Sequence, residues 1–219
     1  MLPIRDRQSS NITPFITWII IGINAFVLII EFAHNDLNQF FDQWALIPIK
    51  INFTDIATLY PFITSVFLHG GLVHFLSNMW FLRIFGDNVE GYLGYIKYLL
   101  FYLGGGIIAG LAQYMIAPNS NIPMIGASGA IAAVLGFYII VFPHHTVDTL
   151  IPSLTLFTIS LPAQIVLGMW FITQLFNGTA AVTVTSFDSG IAWWAHIGGF
   201  LYGVILAKLL IQKPKYYVS

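Results

Sequence analysis

Six stretches of the chain are apolar almost without interruption, and polar residues collect in the gaps between them. The runs lie at about Phe15 to Ala33, Gly70 to Phe85, Tyr95 to Met115, Ala127 to Phe142, Pro162 to Phe176 and Ile191 to Ile211. A bilayer core of about 30 Å takes about 20 helical residues at ~1.5 Å each, so every run is a candidate span. Backbone groups in lipid must be bonded internally, which predicts helices and not strands for runs of this length. The pattern therefore predicts an all-α membrane protein, a bundle of six transmembrane helices. The first run follows Arg5 and Arg7 but ends in Ile30-Glu31-Phe32-Ala33-His34 without a small-x-small cleavage site, so it reads as a retained span and not as a signal peptide. With no repeat, low-complexity tail or second compositional region, residues 1–219 read as a single domain: a short N-terminal segment of about 1–14 and a core of about 15–211.

The gaps add detail. His34 to Pro61 mixes Phe40, Phe41, Trp44, Leu46 and Ile49 with Asp36, Asp42, Lys50 and Asp55, which suits short helices lying in the membrane interface. Ala117 to Ile125 is uncharged, holds Pro118 and Pro123, and is expected to be ordered only by packing. Pro143 to Leu161 reads as a polar-apolar connection carrying His144, His145 and Asp148. With the N-terminus inside, Arg5, Arg7, Arg83, Lys97, Lys208, Lys213 and Lys215 fall on the cytoplasmic side, leaving Lys50 alone outside. Both termini are then cytoplasmic. The second, fourth and sixth helices run from outside to inside, so His74, Asn78, Ser128 and His196 share the outer third of the membrane.

Composition agrees with a lipid solvent. Of 219 residues, 58% are hydrophobic and 8% charged, with a mean hydropathy of +0.82, whereas an ordinary soluble domain is ~25% charged. A net charge of −1 and the lack of a basic cluster leave no electrostatic footprint for nucleic acid. The absence of Cys excludes disulfides, thiol catalysis and Cys-ligated metals. Small residues that permit close helix contact are dense: Gly104, Gly105, Gly106 and Gly110 in the third run, and Gly199 and Gly203 at G-x-x-x-G spacing in the sixth.

Gly126, Ser128 and Gly129 could serve helix packing alone, with the serine bonded to its own backbone. The polar residues shift the balance, because ionisable groups within spans are by default functional candidates. His74 and Asn78 are four apart, ~40° around a helix, so both can aim at one point. His69 and His74 are five apart, about 140° around the axis, and lack the H-E-x-x-H spacing of zinc proteases. A metal site is not expected, and His69 reads as a structural histidine bonded to loop backbone at the helix entry. A serine hydroxyl needs a base, and a desolvated, neutral imidazole has a ring nitrogen free to take its proton. His196 can supply it to Ser128 if Ala195, Gly198 and Gly199 allow close contact. The developing oxyanion would meet backbone N–H groups at the start of the fourth helix, around Ala127, and the side chains of His74 and Asn78.

Three runs in register, His69-x-x-x-x-His74-x-x-x-Asn78, Gly126-Ala127-Ser128-Gly129 and Ala195-His196-Ile197-Gly198-Gly199, resemble the rhomboid family of intramembrane serine proteases. The similarity extends from about Tyr60 to Ile211 and includes Glu90 and Gly94. It implies the basic six-helix, bacterial-type form, a Ser128/His196 dyad without a catalytic acid or cofactor, and an oxyanion site using His74, Asn78 and Ala127. His69, Gly126, Gly129, Gly199 and Glu90 would be supporting residues. It further implies cleavage of transmembrane protein substrates near the outer surface of the cell membrane, with the fifth helix and the loop before the sixth as a lateral gate. Trp170→Ala or Phe171→Ala should then raise the rate if lateral entry is limiting. The chain departs from the family's pattern at Tyr60-Pro61, where many members carry Trp-Arg, and at Ala132, where some place an aromatic ring on the catalytic histidine. Positioning of His196 must then come from elsewhere, with Trp193, Trp194 and the glycines as candidates. Two other readings remain: a non-catalytic member that binds membrane clients, which should lose the dyad, and a proton-coupled transporter, which usually needs carboxylates at mid-membrane depth.

Overall fold

The computed structural model describes residues 2–151, 157–183 and 192–211. Lys213, Lys215 and the gate loop before the last helix, including Asp188, lie outside the described residues. The predicted runs form helices α1 (Phe15–Ala33), α4 (Leu72–Leu93), α5 (Tyr95–Ile116), α6 (Ser128–Val141), α7 (Ala163–Thr183) and α8 (Trp193–Leu210), with short helices α2 (Leu37–Trp44) and α3 (Pro61–Thr64) between the first two. Among the described residues, three helices, α1, α5 and α8, are long and apolar enough to cross a membrane. A fourth qualifies if Ile56–Phe67 and Leu72–Leu93, bent by 81°, count as one span.

The polarity of the bundle is that of a membrane protein. On α1, Trp18, Phe26, Ile29 and Phe32 face outward while Thr17, Asn24 and Glu31 are buried, the last two at 0% and 1% exposure. Water would favour the reverse arrangement. The interior is held instead by small residues and close backbone approach, as expected where lipid removes the hydrophobic drive between helices. A Cβ at Gly199 would lie 2.1 Å from the Gly129 carbonyl oxygen, one at Gly136 2.0 Å from that of Phe200, and one at Gly203 2.0 Å from that of Ala133. Helices α6 and α8 thus touch backbone to backbone along their length. Residues Gly129 to Tyr138 of α6 are all buried, so this 14-residue helix is the axis of the bundle.

Three features differ from the sequence reading. First, the protein is not all-α: β1 (Leu2–Asp6), β2 (Thr146–Ile151) and β3 (Phe157–Pro162) form an antiparallel sheet in the order β1-β2-β3. Its strands are short, β2 and β3 lie within the connection read as polar-apolar, and β1 comes from the far end of the chain. Asp148 is its knot, accepting from Arg5 Nη2 at 2.9 Å, Arg7 Nε at 2.8 Å and Ser160 Oγ at 2.7 Å. Second, two helices outrun their predicted ends: α7 runs to Thr183 and not to Phe176, and α4 to Leu93 and not to Phe85. The extra turns of α4 carry polar residues that are tolerated because they are bonded: Asn88 Nδ2 donates to Asp6 Oδ2 at 2.6 Å, and Glu90 accepts from Ile16 N, Thr17 N and Thr17 Oγ1 at 2.8, 2.8 and 2.7 Å. Glu90 therefore caps the start of α1, whose first N–H groups have no intrahelical acceptor.

Third, residues 117–125 are not ordered by packing alone. Leu46 and Met124 exchange backbone bonds of 3.1 and 2.8 Å, and Ile49 N donates to Ser120 O. At the Tyr60-Pro61 departure, the Tyr60 hydroxyl donates to Gln43 O, its ring meets Trp44 edge-on, and Thr64 Oγ1 donates to Trp44 O at 2.7 Å. Pro61 occupies the first position of α3, where its missing N–H costs nothing.

Candidate active site

Gly126 turns the chain into α6 with φ of +121°, a conformation that suits glycine, and its own N–H donates to Ser65 O at 2.9 Å. A Cβ there would fall 2.8 Å from the His74 ring and 3.7 Å from Asn78 Nδ2. The glycine is thus required twice, by the turn and by the side chains pressed against it. Ala127 follows as the buried N-cap, and Ser128 is the first residue of α6. The start of a helix leaves backbone N–H groups without intrahelical acceptors, and the helix dipole makes that end electropositive.

His196 lies on the first turn of α8, and the close contact through Gly199 and Gly129 brings its Nε2 to 2.7 Å from Ser128 Oγ. Its Nδ1 lies 2.9 Å from Gln174 Oε1 of α7. An amide oxygen only accepts, so the proton sits on Nδ1 and Nε2 is left to accept from the serine hydroxyl. Trp170 of α7 flanks the imidazole at a centroid distance of 5.9 Å and Trp193 meets it edge-on at 6.1 Å. Trp194 is turned away, its Nε1 donating to Gly178 O at 3.2 Å.

Across from this pair, α4 presents His74 and Asn78. Gly70 N donates to His74 Nδ1 at 3.4 Å, which leaves Nε2 as the ring's N–H donor. Asn78 is 6% exposed and its Nδ2 has no partner. Buried amides are rarely left so, and an unspent donor on a residue that lines the same cavity as Ser128 is chemically informative. These groups line a cavity of about 790 Å³ together with Ser120, Ile122, Trp170 and Trp193. No carboxylate lines it among the described residues, and no group of three or more metal-ligating side chains is found among them.

The predicted residues therefore meet, with distinct surroundings. Ser128, His196, His74, Asn78, Gly126 and Ala127 converge; Gly129 and Gly199 set the helix contact; Glu90 is remote, at the opposite end of α4. His69 is buried beside them, its ring 5.2 Å from His74 and 5.4 Å from Phe75, and its backbone N–H donates to Glu31 Oε1 of α1 at 2.8 Å. Sequence reasoning passed over Gln174 and over Glu31. A lone amide in the apolar run Met169-Trp170-Phe171-Ile172-Thr173-Gln174 is the available signal, since polar groups inside spans need a partner.

Comparison with known proteins places this arrangement in a class. The Rhomboid domain family matches residues 57–213. "Putative rhomboid protease YdcA" of Bacillus subtilis is 32% identical over 153 residues, covering 70% of this chain and 68% of that protein. RHOMBOID-like protein 4 of Arabidopsis thaliana is 32% identical over 154 residues, and the human mitochondrial presenilin-associated rhomboid-like protein 31% over 154 residues. The chain covers 68% of the first, but only 33% and 36% of the length of the other two. The chain belongs to the rhomboid family, whose members are generally intramembrane serine proteases.

Proposed function

We propose that the protein is an intramembrane serine endopeptidase that cleaves transmembrane protein substrates near the outer membrane surface. The observation that carries this reading is the 2.7 Å contact between Ser128 Oγ and His196 Nε2 on the wall of a cavity whose other side offers the unpartnered Asn78 amide. As Ser128 Oγ bonds to the scissile carbonyl carbon, His196 Nε2 takes the hydroxyl proton. The carbonyl oxygen, now an anion, accepts from Asn78 Nδ2, His74 Nε2 and the backbone N–H groups at the start of α6 around Ala127. Collapse breaks the C–N bond and His196 returns the proton to the leaving amine; water, deprotonated by the same nitrogen, then bonds to the acyl carbon, the C–Oγ bond breaks, and Ser128 Oγ takes the proton back from His196.

In this reading α1, α4, α5, α6, α7 and α8 all lie across the bilayer, the connection of α2 and α3 lies in its outer interface, and both termini are cytoplasmic. The distribution of charge supports this orientation. Ser128 and the sheet carrying Arg5 and Arg7 occupy opposite ends of α6, and Lys208 lies in the last turn of α8, away from His196. At ~1.5 Å per residue, 14-residue α6 is about 21 Å long against a core of about 30 Å, so Ser128 starts below the outer surface with the cavity above it. Reporters fused near Asn119 should read external and ones within residues 143–161 cytoplasmic.

Labelling by a fluorophosphonate probe, lost in Ser128→Ala, tests the enzyme against a client-binding protein and a transporter. A substrate helix must unwind before its carbonyl is reachable, so helices with Gly or Pro in their outer portion should be cut there, beside a small residue, while Leu-rich helices resist. Scissile bonds mapped by mass spectrometry to mid-membrane or to the cytoplasmic end would overturn the site's orientation. Lateral entry is best probed at Phe171, which stacks on Phe200 of α8 at 4.1 Å, because Trp170 also flanks His196. Phe171→Ala should raise the rate if entry is limiting.

A further inference from the structure

We propose that Gln174 of α7 is the positioning residue for His196, fixing the tautomer and ring orientation that let Nε2 act on Ser128. The proposal rests on the reading of Ser128 and His196 as nucleophile and base. An imidazole can serve as base through Nε2 only while Nδ1 holds the proton, and an Nδ1–H in an apolar bundle needs an acceptor. Gln174 Oε1 provides it at 2.9 Å, from a side chain 6% exposed. Which end of the amide faces the ring is decided by its other bonds. Gln174 Nε2 donates to Trp170 O at 3.2 Å and to Thr173 Oγ1 at 3.3 Å, which turns the oxygen toward His196. A flipped amide would present a donor to Nδ1, move the ring proton to Nε2 and block the base.

Position 132 offers only a methyl group, and the ring is flanked instead by Gln174 and Trp170 of α7 and, edge-on, by Trp193 of its own helix. The bond to Nδ1 therefore exists only while α7 is docked on α8. Because an amide carries no charge, its contribution is orientation, worth about one neutral hydrogen bond. His74 of α4 is the other titratable side chain lining the cavity among the described residues, and its Nδ1 is engaged by Gly70 N.

The test uses the full-length protein in detergent or liposomes and three variants, measuring kcat and KM on a cleavable client helix and the rate of fluorophosphonate labelling. Gln174→Met, of similar length and without an acceptor, should lower kcat and the labelling rate about tenfold while KM stays unchanged. Gln174→Glu, which keeps an oxygen facing Nδ1, should restore both to within about threefold of wild type. If Gln174→Met lowers the thermal midpoint, Gln174→Asn, one methylene too short to reach Nδ1, carries the same comparison. Wild-type rates in the Met or Asn variant, or a Glu variant as slow as the Met variant, would overturn the proposal. Failure of the wild-type protein to label would instead overturn the Ser128 and His196 reading itself, and the positioning role with it.

Discussion

The two ends of α6 are both polar, yet they treat hydrogen-bonding capacity in opposite ways. At the sheet end the acceptors are used up: Asp148 holds two arginines and Ser160, Asp6 receives Asn88 and Tyr138, and Glu90 receives three donors from the start of α1. At the Ser128 end capacity is left open: Asn78 Nδ2 has no partner, His74 lines the cavity, and Ser128 is bonded to a base and not to its own helix. A saturated polar cluster ties elements together, while an unsaturated one beside a cavity is arranged for a group that arrives from outside. The distinction separates Glu90 from His74 and Asn78 more clearly than their common setting in α4 does.

Substitutions at the two ends should break in different ways. The largest effect is expected at the open end: Ser128→Ala or His196→Ala should each lower proteolysis by about 10⁴-fold or more, since nucleophile and base act as a unit. A thermal melt should find both variants folded, and appreciable cleavage by either would remove the dyad assignment. Asn78→Ala and His74→Ala should be graded, with turnover down ~10- to 1000-fold because backbone donors still hold the oxyanion. Full rates in both would end their oxyanion role.

At the saturated end the cost should fall on stability. Glu90→Ala strands two buried N–H groups of α1, and a loss of about 3 kcal/mol is expected in denaturation, with fluorophosphonate labelling of the folded fraction unchanged. A variant as stable as wild type but slow in catalysis would reverse the contrast. The smallest effect is a pH dependence. Ser160, then Arg5 and Arg7, hold the Asp148 carboxyl below its ordinary value of 3.8. A carboxylate depressed on folding adds stability that is complete above its unfolded value and is lost as pH falls through the folded one. The Asp148 contribution should thus be full and independent of pH near neutrality and decline below about pH 4, a decline that Asp148→Asn should flatten in acid melts.

Much of the site is legible in the sequence because its parts obey short-range rules. The apolar runs followed from the length a bilayer demands, the Gly126 turn and Ser128 from their place at the head of such a run, and the convergence of His74 and Asn78 from a spacing of four on one helix. Those inferences needed only the periodicity of a helix and the cost of unbonded backbone in lipid. The extension of α4 past Phe85 was hidden because Asn88 and Glu90 look like a polar terminus until their partners on β1 and α1 are known. The sheet was hidden for the same reason, since β1 pairs with a strand over 140 positions away. Gln174 shows the limit most clearly. Its type and place in the fifth run were plain, but which ring nitrogen it would face depended on how α7 packs on α8. Local chemistry names the groups able to react, whereas the protonation and orientation of a base are set by neighbours that only the packed bundle brings within hydrogen-bond distance.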